Sequence, residues 1–347
     1  MKSRAIRKIV ALVIIAALAV TMAFTLAACN NESGGADIAI LVPSADHGWT
    51  GAILDNANAW ADQINAEGTY SAKVITATDV AAQSAQIEDI AANQNYKAVV
   101  ILPYSDAVES SLQILANTDI PFIMVDRIVN SVVDDAVATV KGDNYQIGYK
   151  TGMRFIEQGL TAGDSVLIVP GDNSTVPITR NEGFFDALAT AGLSRSNLEV
   201  VELPNTDWAR SKAKESFTSF ASRADFGDFD FIFTHDSELS MGIFEVLNES
   251  TLTAEQKATF LGNGDEVVLA SSSGLDEAYA VLRGETYQSI YGQLKDFFDV
   301  TYPPTMIVDA LDMMVDYLNG EQLANTAVII EVDVVDATNV RDFVGFD

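Results

Sequence analysis

IAILVPSADHGW, residues 38–49, is the stretch on which the fold turns. Five aliphatic residues, Ile38–Val42, read as a buried strand. Pro43 ends it, a short polar turn with Asp46 and His47 follows, and Trp49 opens a segment that reads as a helix to Ala66. Working outward, the same order repeats: strand Ala72–Ile75, helix Gln83–Asn93, strand Ala98–Leu102, helix Ala107–Asn117, strand Phe122–Val125. Alternating strands and amphipathic helices predict a parallel sheet covered on both faces. A second series then begins: helix Asn144–Glu157, strand Ser165–Val169, helix Arg180–Thr190, strand Leu198–Leu203, helix Trp208–Ala221, strand Phe229–Phe233, helix Glu238–Asn248 and strand Thr259–Leu261. After Pro303 and Pro304 a helix is predicted over Met306–Leu318, and Ala327–Val335 is β-rich. The expected class is α/β, with two Rossmann-like lobes.

Upstream, four basic residues (Lys2, Arg4, Arg7, Lys8) precede an apolar run from Ile9 to Leu26, then Ala27, Ala28 and Cys29, then a polar stretch. That layout is an export signal. Cys29 is the only cysteine of 347 residues, which excludes a disulfide scaffold. Two small residues directly before that one thiol resemble a bacterial lipoprotein signal, so residues 1–28 are expected to be removed and residues 29–36 to form a lipidated tether at the membrane. All 49 acidic residues lie beyond this leader, against 20 basic ones in the whole chain. Nucleic acid, whose affinity depends on Lys and Arg contacts to phosphate, is thereby an improbable partner. With 48% hydrophobic and 20% charged residues, the composition is that of a folded chain with an acidic surface.

In open parallel sheets ligands bind beyond the carboxyl ends of the strands. The residues there form a consistent chemical set: Asp46, His47 and Trp49; Asp126 and Arg127; Asp143; Asp172, Asn173 and Arg180; Asp207 and Trp208; His235 and Asp236; Asn263 and Asp265. Carboxylates and guanidinium groups exchange hydrogen bonds with hydroxyls, and indole faces cover aliphatic C–H surfaces, so the set suits a small polyhydroxylated ligand. The two histidines, each beside an aspartate, have no His-x3-His spacing and no second cysteine to complete a zinc site. A phosphate-binding loop and a Gly-x-Ser-x-Gly nucleophile turn are both absent, so catalysis, a cofactor and a metal have no support.

From about Asp37 to Val340 the chain resembles the type I periplasmic binding proteins of sugar ABC transporters, the ribose- and galactose-binding group. The segments that carry the resemblance are residues 38–49, IPFIMVDRIV (120–129), GDNYQIGYKTG (142–152), RNEGFFDAL (180–188), FIFTHDSELSMG (231–242) and IIEVDVVDATNV (329–340). The resemblance implies that His47 stands where the family places a sugar-binding amide, that Trp49 and Trp208 sandwich the ring from opposite lobes, that Asp126, Arg127 and Arg180 bond its hydroxyls, and that Asp236 replaces an Asn. The family's Gly-Phe-Asp-Gly stretch reads Gly262, Asn263, Gly264, Asp265, so its Asp is shifted by one residue or lost. For the family's hinge-side Gln, both Gln293 and Thr301 are candidates. The implied fold has an N-terminal lobe of residues 37–141 plus 302–329 and a C-terminal lobe of residues 142–301 plus 330–347. Three crossings join them, near Lys141–Asp143, Tyr291–Tyr302 and Val328–Val332. The implied function is non-enzymatic: a monomeric, lipid-anchored, extracytoplasmic substrate-binding protein that takes a monosaccharide or polyol and delivers it to an ABC permease. The alternative is a sensory receptor subunit feeding a membrane kinase.

Overall fold

In the computed structural model, residues 36–44, 48–262 and 266–347 are described, and Asp37–Asp347 pack as one unit. The leader, Cys29, Asp46, His47 and Asp265 lie outside the described residues. Strand β1 (Ile38–Pro43) is fully buried, as its aliphatic run demands, and leads into helix α1 (Gly48–Glu67). There follow β2 (Ala72–Ala77), α2 (Val80–Asn93), β3 (Ala98–Ile101), α3 (Glu109–Ala116), β4 (Phe122–Val125) and β5 (Ala138–Gly142). The second series is α4 (Asn144–Glu157), β6 (Ser165–Val169), α5 (Thr175–Thr190), β7 (Glu199–Glu202), α6 (Arg210–Phe220), β8 (Phe231–Thr234), α7 (Ser237–Asn248), α8 (Ala254–Leu261), β9 (Val268–Ser273), α9 (Asp276–Leu282), α10 (Gln288–Tyr291) and β10 (Asp296–Thr301). Helix α11 (Met306–Leu318) and strands β11 (Ala327–Ile330) and β12 (Val334–Val335) complete the order. No helix among the described residues is long and apolar enough to cross a membrane.

The strands form two six-stranded sheets, ordered β11-β5-β4-β3-β1-β2 and β12-β10-β9-β8-β6-β7. Every pair is parallel except β10 with β12. In each sheet the first strand of its series, β1 or β6, lies between two later ones, the strand-order reversal at which parallel sheets open a crevice. The chain passes between the sheets three times: after β5, after β10 and after β11. These passages are bonded side by side. The Asp143 amide donates to the Ile330 carbonyl at 3.1 Å, the Thr301 amide to Asp333 at 2.9 Å, and the Asp333 amide to the Thr301 hydroxyl at 2.8 Å.

The sequence reading departs from the structure mainly between residues 250 and 302. Thr259–Leu261, expected as a strand, ends helix α8. Thr253 starts that helix with a reciprocal capping box to Gln256, a local signal that outweighs the strand preference of Thr259 and Phe260. The strand comes later, as β9, whose second half is Ser271–Ser273; these serines are buried because they are hydrogen-bonded, and hydrophobic patterning does not see them. Strand β10, with the buried Asp299 at its centre, has no counterpart in the sequence reading for the same reason.

Helices α4 and α5 lie unusually close. A Cβ on Gly148 would sit 1.8 Å from the Arg180 carbonyl oxygen, and one on Gly183 would sit 2.0 Å from that of Tyr145. This approach places the start of α4 beside the middle of α5, and with it Asn144 beside Arg180.

Candidate functional site

The strand ends converge on a small chamber between the sheets, lined by Trp49, Asp126, Arg127, Val176, Arg180, Trp208, Asp236 and Tyr302. Trp49 comes from the start of α1, Asp126 and Arg127 follow β4, Trp208 follows β7, Asp236 follows β8, and Tyr302 follows β10. Two of these turns use left-handed backbone on residues with a side chain: Asp126 (φ 61°) after β4, and Asp207 (φ 49°) with Trp208 (φ 62°) after β7. That conformation is tolerated by Asp and is rare for a bulky Trp, and such strain gathers at ligand clamps.

Arg180 is the hub. It is 2% exposed, and it donates through Nε to Asn144 Oδ1 at 2.9 Å and through Nη1 to the His235 carbonyl and to Ser272 Oγ at 3.1 Å. Its guanidinium lies between two rings, 5.0 Å from the Tyr302 centroid and 5.6 Å from that of Trp208. Tyr302 donates its hydroxyl to Asp126 Oδ1 and accepts from Asn144 Nδ2 at 3.1 Å, while its carbonyl accepts from Trp49 Nε1 at 2.8 Å. Arg127 bonds the carbonyls of Pro103 and Tyr104 and reaches across to Asp172, Nη2 to Oδ2 3.7 Å, an ion pair between the turns that follow β4 and β6. Two buried donors, Arg127 Nε and Trp208 Nε1, have no hydrogen-bond partner among the described residues.

Burial raises the carboxyl of Asp126 above its ordinary value, with Arg127, the Tyr302 hydroxyl and Arg180 pulling the other way. Burial pushes Asp236 up to about 7 although the Glu238 amide and Arg180 favour its charged form. The Arg180 guanidinium is lowered by burial, and the Tyr302 phenol is raised well above its usual range by burial and by Asp126 beside it. His235 is held well below the usual imidazole value by burial and then by Arg180, so its ring is neutral; its Nε2 lies 3.2 Å from Asn181 Oδ1. The described residues contain no group of three metal-binding side chains.

Six residues singled out from sequence, Trp49, Asp126, Arg127, Arg180, Trp208 and Asp236, thus meet at one chamber. Asp143 does not line it: it caps α4, accepting from the Gln146 amide at 3.0 Å, and borders a flanking groove. Asp172 turns one oxygen to the Ser174 amide and the other to Arg127, and Asp207 pairs with Lys212. Neither Gln293 nor Thr301 reaches the chamber. Gln293 bonds the Ser289 carbonyl in the turn before β10, and Thr301 is the last residue of β10 and holds Asp333. The residue that emerges into the chamber is Tyr302, which sequence reasoning missed together with Asn144. The available signal was its position, directly after a strand and before Pro303.

Comparison with known proteins gives a family and a fold. The family described as periplasmic binding protein domain matches residues 38–322. A curated D-apiose import binding protein of Actinobacillus succinogenes is 25% identical over 176 residues, 50% of this chain and 54% of the relative; the chain thus matches about half the length of that relative. Among solved structures, a galactofuranose binding protein superposes with a TM-score of 0.72 at 17% identity, covering 88% of this chain and 96% of the other. A Mycobacterium smegmatis ABC transporter solute binding protein with bound glycerol gives 0.71 at 22% identity, covering 90% and 98%. The Caulobacter myo-inositol binding protein bound to myo-inositol gives 0.71 at 18% identity, covering 88% and 95%.

Proposed function

The chain belongs to the periplasmic binding protein family, and on that premise we propose that it is the lipid-anchored substrate-binding protein of an ABC importer, capturing a monosaccharide or related polyol between two closing lobes. The observation that carries the reading is the pair of buried, unpartnered donors, Arg127 Nε and Trp208 Nε1, at a chamber that also holds the carboxyls of Asp126 and Asp236 and the indole faces of Trp49 and Trp208. Buried donors without acceptors are costly, about 1–3 kcal/mol each, and a ligand hydroxyl oxygen is an acceptor that fits. The ligands for which these relatives are named or with which they were solved, apiose, galactofuranose, glycerol and myo-inositol, are all polyhydroxylated.

The lobes are residues 37–141 with 302–329 and residues 142–301 with 330–347, and Asp126, Arg127 and Trp49 belong to the first while Arg180, Trp208 and Asp236 belong to the second. A ligand held by both halves stabilises the closed form, and that population shift is what a permease reads. Lipidation at Cys29 keeps the protein extracytoplasmic and close to its permease. The test is a thermal-shift screen of monosaccharides and polyols. A ligand at about 100 times its Kd adds about 2.7 kcal/mol to native stability, a readily measured rise in melting temperature. A screen in which no polyol raises the melting temperature at millimolar concentration, while amino acids or peptides do, sinks the sugar reading.

A further inference from the structure

The geometry points to Tyr302 as the residue that sets the size of the ligand, restricting the site to sugars of five carbons or fewer and rejecting hexopyranoses. This rests on the sugar reading above and goes beyond it. The phenol hydroxyl already occupies Asp126 Oδ1, an acceptor at the chamber, and is itself held by Asn144 Nδ2 from behind the lining. The site therefore offers its ligand fewer hydroxyl positions than its count of polar side chains implies.

The ring takes the space as well. It packs against the backbone of Gly142, where a Cβ would lie 2.0 Å from Cε2 and 2.5 Å from Cδ2 of Tyr302. It sits 5.4 Å from the Trp49 ring and 5.0 Å from the Arg180 guanidinium. With these groups in contact, the chamber holds about 30 Å³ of free space, enough for a water or two. A ligand must make room by moving the lobes apart or by displacing side chains. Tyr302 is held in place: it lies on the passage after β10, is bonded to Asp126 and Asn144 through its hydroxyl and to Trp49 through its carbonyl, and is backed by the passage after β5. Trp208 follows β7 at the far edge of its sheet and Tyr302 follows β10 beside the passages, so a rotation about the passages moves Trp208 farther than Tyr302 and leaves the Tyr302 ring as the floor. A pyranose with an exocyclic hydroxymethyl group meets that floor; a pentose or a short polyol clears it.

The experiment is isothermal titration of the wild type, Tyr302→Ala, Tyr302→Gln and Tyr302→Phe with D-ribose, L-arabinose, D-xylose and D-apiose on one side and D-glucose and D-galactose on the other, with the ligand-free melting temperature of each variant. The wild type is expected to bind its best pentose at least tenfold more tightly than either hexose. Tyr302→Ala, or Tyr302→Gln if the alanine variant does not fold, is expected to reduce that ratio at least tenfold, and Tyr302→Phe, which keeps the ring, to preserve it. Equal or tighter hexose binding by the wild type overturns the inference, as does an unchanged ratio in the variants that lack the ring or a loss of discrimination in Tyr302→Phe as complete as in Tyr302→Ala. Binding of no sugar by the wild type overturns the sugar reading itself and this inference with it.

Discussion

Asp126 and the two tryptophans differ in what they support besides a ligand. Asp126 is buried, held in left-handed backbone, and bonded to Tyr302, with one oxygen still 4.0 Å from Arg127 Nε. Asp126→Ala removes the acceptors and takes away the carboxylate nearest Arg127 Nε, leaving that guanidinium its bonds to the Pro103 and Tyr104 carbonyls and its pairing with Asp172, and calorimetry is expected to show a loss of about 2–3 kcal/mol, roughly 30- to 150-fold in sugar affinity. Trp208 belongs to none of the three hydrophobic clusters against the sheets, whereas Trp49 packs into one of them and ties its Nε1 to the Tyr302 carbonyl. Trp208→Ala should therefore weaken binding by about 1.5–3 kcal/mol with a small change in ligand-free melting temperature. Trp49→Ala should weaken binding and also lower native stability by about 3–5 kcal/mol. Equal stability losses in the two variants would show that Trp208 is a core residue too. The sequence placed both indoles at strand-to-helix turns; only packing distinguishes the one that also braces the core.

At the level of elements, the contact between α4 and α5 decides whether Arg180 can reach Asn144. Ala at Gly148 or Gly183 forces backbone apart by more than an ångström, which overpacking data put at about 1–3 kcal/mol or more. The expected outcome is a lower melting temperature together with weaker sugar binding, because Arg180 loses its hold on Asn144; unchanged affinity in a folded variant would refute that linkage. Strand β10 and helix α7 meet at Asp299, whose Oδ2 accepts from Ser237 Oγ at 2.7 Å at the first turn of the helix. Burial pushes Asp299 up to about 7, as it does Asp236 one residue before Ser237. Carboxyls that hold protons more tightly when folded add stability that is complete below pH 4 and is lost as pH rises through about 7. The acidic surface repels itself in the same direction, so the discriminating measurement is a difference: from pH 4 to 8 the melting temperature of Asp299→Asn should fall less than that of the wild type, and parallel curves would exclude the group. Asp299 also marks where sequence reading ran short. Aliphatic strands such as Ile38–Val42 and Phe122–Val125 announce themselves, whereas β9 and β10 are built partly from serine and aspartate whose partners are Ser237 and Ser240 of α7 and Arg180 of α5, and that pairing is visible only in three dimensions. Tyr302 was lost with β10, since a residue at the end of an unrecognised strand cannot be assigned to its tip.

For the whole molecule, the proposed closure about three hydrogen-bonded passages is a rotation and not an unfolding, so small-angle scattering should give a smaller radius of gyration with saturating sugar at constant mass. No change under confirmed saturation would mean a preformed, rigid site. Anchoring is tested separately. Cys29→Ala should leave an uncleaved precursor or release the protein from the membrane fraction, and continued lipid labelling of that variant would sink the proposed tether.

The interleaved connectivity also bears on how the chain is made. Strands β1–β5 are complete by Gly142, yet helix α11, which packs on β3, β4 and β5, begins only at Met306, and their neighbour β11 ends at Ile330. At about 5–20 residues per second, a ribosome needs on the order of ten to thirty seconds to supply that helix. Throughout that interval α1 covers only β1 and β2 on that face of the first sheet, and a chain stopped anywhere before Met306 leaves the part over β3, β4 and β5 bare. Such fragments are substrates for aggregation or proteolysis, and a chaperone or a secretion channel that holds the nascent chain unfolded until Met306–Leu318 has appeared would spare it that exposure.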